Sequence, residues 1–268
     1  MTTPFTSFFP PSNLTYYSLL LALILTGCGT SMYMPAVPNV PMFTQKGELS
    51  AGGHVTPKGN ITFNTAYAVS DHFGVLLNGS MLSSERRKRD MRYNQLEAGG
   101  GYFTTFGAND NRVLEVYAGF GGGSSDRTDK EEDGETGQMT YMRHEANFNK
   151  YFVQVNFSSK RKKSLALLGR EFPLNYGTAL RASYVDMHDY TLNNIAGEAE
   201  DNIFLEPIFY TRLTLNPSVQ LQYTSGTTIG LKNRENLTAA YSVFSLGFVI
   251  NVGGRPKDRL PSNSVKAK

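Results

Sequence analysis

From Glu48 to Val252 the side chains change character with a period of two, which constrains this 268-residue chain more than any other feature. In Asn60–Ser70 one face carries Ile61, Phe63, Thr65, Tyr67 and Val69, and the other carries Asn60, Thr62, Asn64, Ala66, Ala68 and Ser70. Successive side chains of a strand point to opposite faces, so each such run is a strand with one apolar and one polar side. Phe73–Leu82, Asn94–Phe106, Arg112–Gly122, Leu205–Leu215, Val219–Thr224 and Tyr241–Val252 repeat the pattern. Tyr141–Phe157 changes phase near Asn149-Lys150, which predicts a bulge. Ser164–Asp186 is interrupted at Gly169–Pro173 and is either one long strand or two short ones. About ten strands are expected, with eight as the alternative. No run after residue 28 approaches the roughly 20 apolar residues of a helical span.

The connections alternate in length. Ser70–His72, Gly107–Asn111, Ser158–Lys163 and Asn216-Pro217 are short, whereas Ser84–Arg92, Ser124–Gln138, His188–Asn202 and Gly226–Ala239 are long and polar. Only Thr56–Gly59 breaks the rule. Long loops at one end and short turns at the other are the pattern of an all-β, antiparallel up-and-down transmembrane β-barrel. The 15 Tyr, 17 Phe and 26 Gly agree, because aromatic residues favour strands and glycines favour tight turns and close backbone approach.

Ahead of the barrel lies the apolar run Ser18–Leu25, too short for a span and followed by small residues, as in a signal-peptide core. Leu25-Thr26-Gly27-Cys28 resembles the bacterial lipobox, in which the cysteine is lipidated and becomes the new N-terminus. Met1–Tyr17 holds no Lys or Arg, a departure from the usual positive leader. The expected organisation is a signal peptide over 1–27, a lipidated tether over 28–46, a β-barrel over 47–252 and a disordered periplasmic tail over 253–268. Pro35, Pro38 and Pro41 suggest that the tether is extended, joining lipid to barrel. An even strand number would put tether and tail together at the short-turn, periplasmic end, on the side of an inner-leaflet lipid.

If the apolar face meets lipid, the polar face lines a lumen. Its charged members are expected to be Glu97, Glu115, Arg143, Glu145, Arg181, Glu206 and Arg212. Charges in so narrow a space persist when paired and hydrogen-bonded. Gly99, Gly101, Gly119 and Gly121 would leave room for longer side chains opposite, giving a plugged barrel rather than a wide pore. Glu97 and Glu115 could be an acid/base pair, but a structural ion-pair network is favoured. No metal-ligand spacing joins the four His, and no GxSxG elbow or P-loop occurs, so no enzyme is expected and no cofactor beyond a covalent diacylglyceryl/acyl lipid at Cys28. A net charge of +3 gives no case for nucleic acid. The basic loop Glu85–Arg92 and the acidic stretch Asp126–Glu135 are either solvated tips or contacts for lipopolysaccharide or another surface partner.

Several short pieces resemble a group of bacterial outer-membrane β-barrel lipoproteins, common in Bacteroidetes and mostly of unknown function. They are the lipobox at Cys28, Tyr33-Met34-Pro35, Asn39-Val40-Pro41, Gly47-Glu48-Leu49, Thr65–Ala68, Lys150–Gln154 and Leu205-Glu206-Pro207. The resemblance implies the fold and an outer-membrane location, and no substrate. Three readings stay open: a small structural or surface-interacting barrel acting through its outer loops, a narrow channel or transporter, and a lipid-anchored periplasmic barrel of lipocalin type. The last requires polar outer faces and an apolar interior. Tyr67, Phe73, Tyr102, Phe106, Tyr223 and Phe244 lie toward strand ends, as in a membrane aromatic girdle.

Overall fold

A computed structural model describes residues 31–167, 169–239 and 242–253. The signal peptide, Cys28 and the tail from residue 254 lie outside the described residues. Twelve strands follow in chain order: β1 Leu49–Val55, β2 Ile61–Ala68, β3 Phe73–Glu85, β4 Arg89–Phe106, β5 Arg112–Glu132, β6 Met139–Leu167, β7 Arg170–Leu192, β8 Ile195–Ala196, β9 Asp201–Thr214, β10 Val219–Thr227, β11 Ile229–Gly230 and β12 Ser242–Val252. β8 and β11 are two-residue strands within connections. The other ten form a closed antiparallel ring, because β7 pairs with β9 and β12 pairs back onto β1. A closed ring leaves no unpaired edge.

The alternation sets the faces. β2 alternates strictly between exposed and buried positions, with Ile61, Phe63 and Tyr67 outward and Thr62, Asn64, Ala66 and Ala68 inward. The same holds around the ring, where Leu77, Leu96, Phe120, Val153, Leu180, Phe209, Leu246 and Phe248 all point outward and are exposed. The outside is apolar and the inside mixes polar groups such as Thr62, Asn64, Glu97 and Arg181 with rings such as Phe103, Phe148 and Phe204, whereas a lipocalin-like periplasmic barrel requires a polar outside.

Two features depart from the expected layout. Ser158–Lys163 is not a turn but part of β6, a strand of 29 residues, and the reversal into β7 comes at Gly169, whose φ is +74°. The pairing slips between Ser159 and Lys163, where three residues of β6 face one of β7, and this irregularity imitates a turn in the sequence. Three of the four long polar stretches, in turn, are mostly strand, the exception being Gly226–Ala239. β3 with β4 and β5 with β6 continue as paired ladders to Glu85–Asp90 and Glu132–Met139, leaving only 86–88 and 133–138 as connections. A strand needs about 10 residues to cross a bilayer, so β5, with 21, carries its excess beyond an apolar belt as a tall hairpin.

The largest correction concerns the expected tether. Residues 32–43 do not hang between lipid and barrel but fill the lumen, with Tyr33, Val37, Val40 and Phe43 almost fully buried, and only residues 44–46 emerge from it. Met32, Tyr33 and Met34 pack with Tyr93, Phe148, Met187, Phe204 and Leu237 toward the long-loop end. Val37, Val40 and Met42 pack with Ala179, Ile208, Tyr210 and Val243. Phe43 packs with Ala68, Phe103 and Tyr117 toward the short-turn end. The segment then turns at Met42 (φ +61°) and Gly47 (φ +84°) to enter β1. Its first described residues therefore lie at the long-loop end, not at the short-turn end as expected.

Candidate functional site: the plugged lumen

Five of the seven expected luminal charges are where the alternation put them. Glu97 on β4, Glu115 on β5, Arg181 on β7, and Glu206 and Arg212 on β9 are each buried inside the ring. Lys150 on β6 joins them, giving three acidic and three basic groups, and a fourth buried cation, Arg127 on β5, is paired with the part-exposed Asp129 at 2.8 Å. Such balance matters because an uncompensated charge in a low-dielectric space is costly.

Glu97 is the hub. One carboxylate oxygen receives Arg181 Nη1 at 2.6 Å and Asn78 Nδ2 at 2.9 Å. The other receives Gln95 Nε2 at 2.9 Å and lies 3.1 Å from Lys150 Nζ. Arg181 also donates through Nε to Gln154 Oε1 at 2.8 Å. Its guanidinium lies 4.4 Å from the Phe152 ring centroid. Phe152 itself rests on glycines: a Cβ on Gly119 would come within 2.5 Å of its ring and 2.3 Å of the Ala98 carbonyl. Gly101 makes the same allowance for Tyr117, whose Cδ1 is 2.6 Å from where a Cβ would be.

The plug is bonded into this network. Gln154 donates to the Asn39 carbonyl at 2.7 Å, and the Asn39 amide donates to Asn78 and to the Thr65 carbonyl, both at 3.0 Å. Tyr33 donates its hydroxyl to Glu206 at 2.9 Å, stacks on Phe204 at 4.6 Å between centroids, and lies 5.3 Å from Lys150 Nζ. The Phe43 amide donates to Glu115 at 3.2 Å, and Glu115 also receives Asn156 at 3.1 Å. Arg212 donates to the Val40 carbonyl and, at 2.6 Å, to Gln222. Backbone groups of an extended segment have no partners of their own, so the wall supplies them.

Arg143 and Glu145 are corrected: both point outward from β6, and Arg143 pairs with Asp126 at 2.8 Å and with Glu145 at 2.7 Å. The inward residues of this strand are His144, Ala146, Phe148, Lys150, Phe152 and Gln154 in one unbroken phase. The expected phase change was misplaced. A pairing slip does occur, between Glu145 and Asn147, but the one extra residue is on β7, where Asp189 (φ +53°) and Tyr190 face Ala146. Even-numbered burial carried through 144–158 would have found Lys150. The signal for the plug was also present, since no residue from Cys28 to Gln45 is charged, which is unusual for a solvated linker.

Glu97 and Glu115 do not meet as an acid/base pair. Glu97 lies opposite Gly121 in the register, six residues along β5 from Glu115 and so about 20 Å away. At the long-loop rim the basic and acidic stretches neutralise each other: Arg89 pairs with Asp129 at 2.7 Å, Lys130 with Asp90 at 2.7 Å and Arg87 with Glu132 at 3.4 Å. Asp201, at the same rim, is paired with Lys232 and Arg234, and the Lys232 hydrogen bond foremost holds its carboxyl down at about 2.

No protein-family match and no match to a curated protein is found. Among solved structures the chain is similar to the translocator domain of the autotransporter NalP from Neisseria meningitidis, at 11% identity and a TM-score of 0.46. That likeness covers 78% of this chain and 87% of the other. At such identity and score it carries no argument about what this chain does.

Proposed function

We propose that this chain is an integral outer-membrane lipoprotein: a ten-strand barrel closed by its own N-terminal segment, anchored additionally at Cys28, and acting at the cell surface through its long-loop rim rather than by catalysis. The observation that carries this reading is the inverted arrangement of the two faces. A closed ring with an unbroken apolar exterior matches hydrocarbon, and a lumen filled by a bonded segment leaves the rim as the exposed working surface. The tall hairpins β3–β4 and β5–β6 enlarge that rim, and their cross-strand ion pairs hold it in shape. Lipopolysaccharide or a surface protein would be the partner there. The segment buried in the lumen argues against a constitutive channel. The polar wall behind the plug favours a second reading, in which displacement of residues 31–43 opens a narrow aqueous path.

Two measurements test the pair. The full protein should fractionate with outer-membrane vesicles and migrate faster on an unboiled gel than after boiling. Recovery as a soluble protein from a Cys28→Ala variant would overturn the membrane-spanning reading. In planar bilayers the purified protein should be silent, and a variant lacking residues 31–43 should conduct; frequent openings of the intact protein would promote the channel reading instead.

A further inference from the structure

The direction of the plug has a consequence for sidedness. Its first described residues are tied to the long-loop rim: Ser31 bridges to Leu237, Tyr33 bridges to Ala239, and the Tyr33 amide donates to the Thr238 carbonyl at 3.1 Å. Its last residues belong to the opposite mouth, where Phe43 packs on Ala68 and Phe103 and the Gly47 amide donates to the Ala68 carbonyl at 2.9 Å. The chain thus runs the length of the lumen from the long-loop end to the short-turn end before β1 begins.

Cys28 precedes Ser31 by three residues, and a fully extended chain spans at most about 3.6 Å per residue, so no more than roughly 11 Å of chain separates the two. The apolar belt of a membrane barrel is about 25 Å tall. A lipid on Cys28 therefore cannot reach the leaflet at the short-turn end. A second observation points to lipid at the same place. The connections that hold Ser31 and flank it also project Ile195, Ile229 and Leu231, which are 72%, 48% and 56% exposed. Each of these large apolar side chains is open to a hydrocarbon surface at that end.

We propose that this protein carries its own N-terminal end through the barrel to the outer face of the membrane, so that acyl chains on Cys28 would enter the outer leaflet and not the inner one. This rests on the reading above, an outer-membrane lipoprotein with its long-loop end outward.

The test compares three positions of a short epitope, inserted after Thr30, after Gly134 in the β5–β6 turn, or after Gly253, each variant first checked for fast migration on an unboiled gel. Antibody should stain intact cells for the Thr30 and Gly134 insertions and only permeabilised cells for the Gly253 insertion. Radiolabelled palmitate should enter the wild type and not Cys28→Ala. Staining of intact cells at Gly134 but not at Thr30 would overturn the threading while leaving the barrel's orientation standing. Staining at Gly253 but not at Gly134 would overturn the orientation, and with it the functional reading. Absence of palmitate from the wild type would overturn the outer-leaflet anchor. Should the Thr30 insertion fail to fold, Thr30→Cys labelled on intact cells by a membrane-impermeant maleimide gives the same readout with one side chain changed.

Discussion

Replacing Glu97 with glutamine removes the carboxylate that faces both Arg181 and Lys150. The Arg181 contact is 2.6 Å and both side chains are almost fully buried. At that separation, with an effective dielectric constant near 20, the attraction is on the order of 6 kcal/mol before desolvation is set against it. Removing one partner of such a pair leaves the other charge uncompensated and typically costs about 3–5 kcal/mol. Glutamine keeps an oxygen that can still accept from Asn78, so Glu97→Gln should fall near the lower end, about 3 kcal/mol. Arg181→Met should cost somewhat less, because Glu97 retains Lys150 at 3.1 Å and the amides of Asn78 and Gln95. The double variant should be less damaged than the sum of the singles by about 2 kcal/mol, since residues in contact do not act additively. The chain has no Trp, so the assay is urea unfolding in phospholipid vesicles, read as the fraction of fast-migrating protein on unboiled gels with circular dichroism as a second probe. A loss under about 1 kcal/mol for Glu97→Gln, or single-variant losses that sum to the double within about 0.5 kcal/mol, would refute the hub.

Other expectations follow from the same coordinates. Phe43→Ala removes an aromatic ring packed on Ala68 and Phe103 and should cost about 3–5 kcal/mol in the same assay. Gly119→Ala places a Cβ 2.3 Å from the Ala98 carbonyl and should destabilise by about 1–3 kcal/mol or prevent the fast-migrating band, whereas Gly53→Ala, where nothing lies within 4 Å, should not. Arg143→Ala breaks ion pairs that face outward and are well solvated, so its unfolding midpoint should match the wild type. Asp201 titrates at about 2 in the folded chain, against 3.8 for a free aspartate. A depressed carboxylate contributes stability above its unfolded value and loses it as pH falls through the folded one. Hydrogen-exchange protection of the Leu231 amide, which donates to the Ile203 carbonyl beside Asp201, should therefore be constant above pH 5 and fall between about pH 4 and pH 2. An unchanged protection factor would detach Asp201 from the rim's stability.

The sequence by itself determined the ring and its two faces, because a period of two is a local property: each residue's neighbours at i±2 are enough to assign it a side. That is why Glu97, Glu115, Arg181, Glu206 and Arg212 were placed inside correctly. It was also enough for the strand count and for the end at which the long connections gather. The pattern failed where pairing is irregular. Slips of register at Ser159/Lys163 and Glu145/Asn147 depend on how many residues the neighbouring strand offers, which no single strand records. For this reason a stretch of β6 was mistaken for a turn, whereas Arg143 and Glu145 were misassigned and Lys150 was passed over because a phase change was expected at Asn149-Lys150 where β6 keeps one phase. The tertiary structure alone decided where residues 31–46 go. Their sequence, uncharged, rich in proline and spaced with Tyr33, Val37, Val40 and Phe43, shows an extended segment with something to bury, but it names no surface to bury it against. Only a closed ring has a lumen, and only ten strands bring Asn78, Gln154, Glu206 and Arg212, far apart along the chain, to face one backbone. The direction of the plug, and so the side of the membrane at which the N-terminal end emerges, follows from that closure and from nothing local.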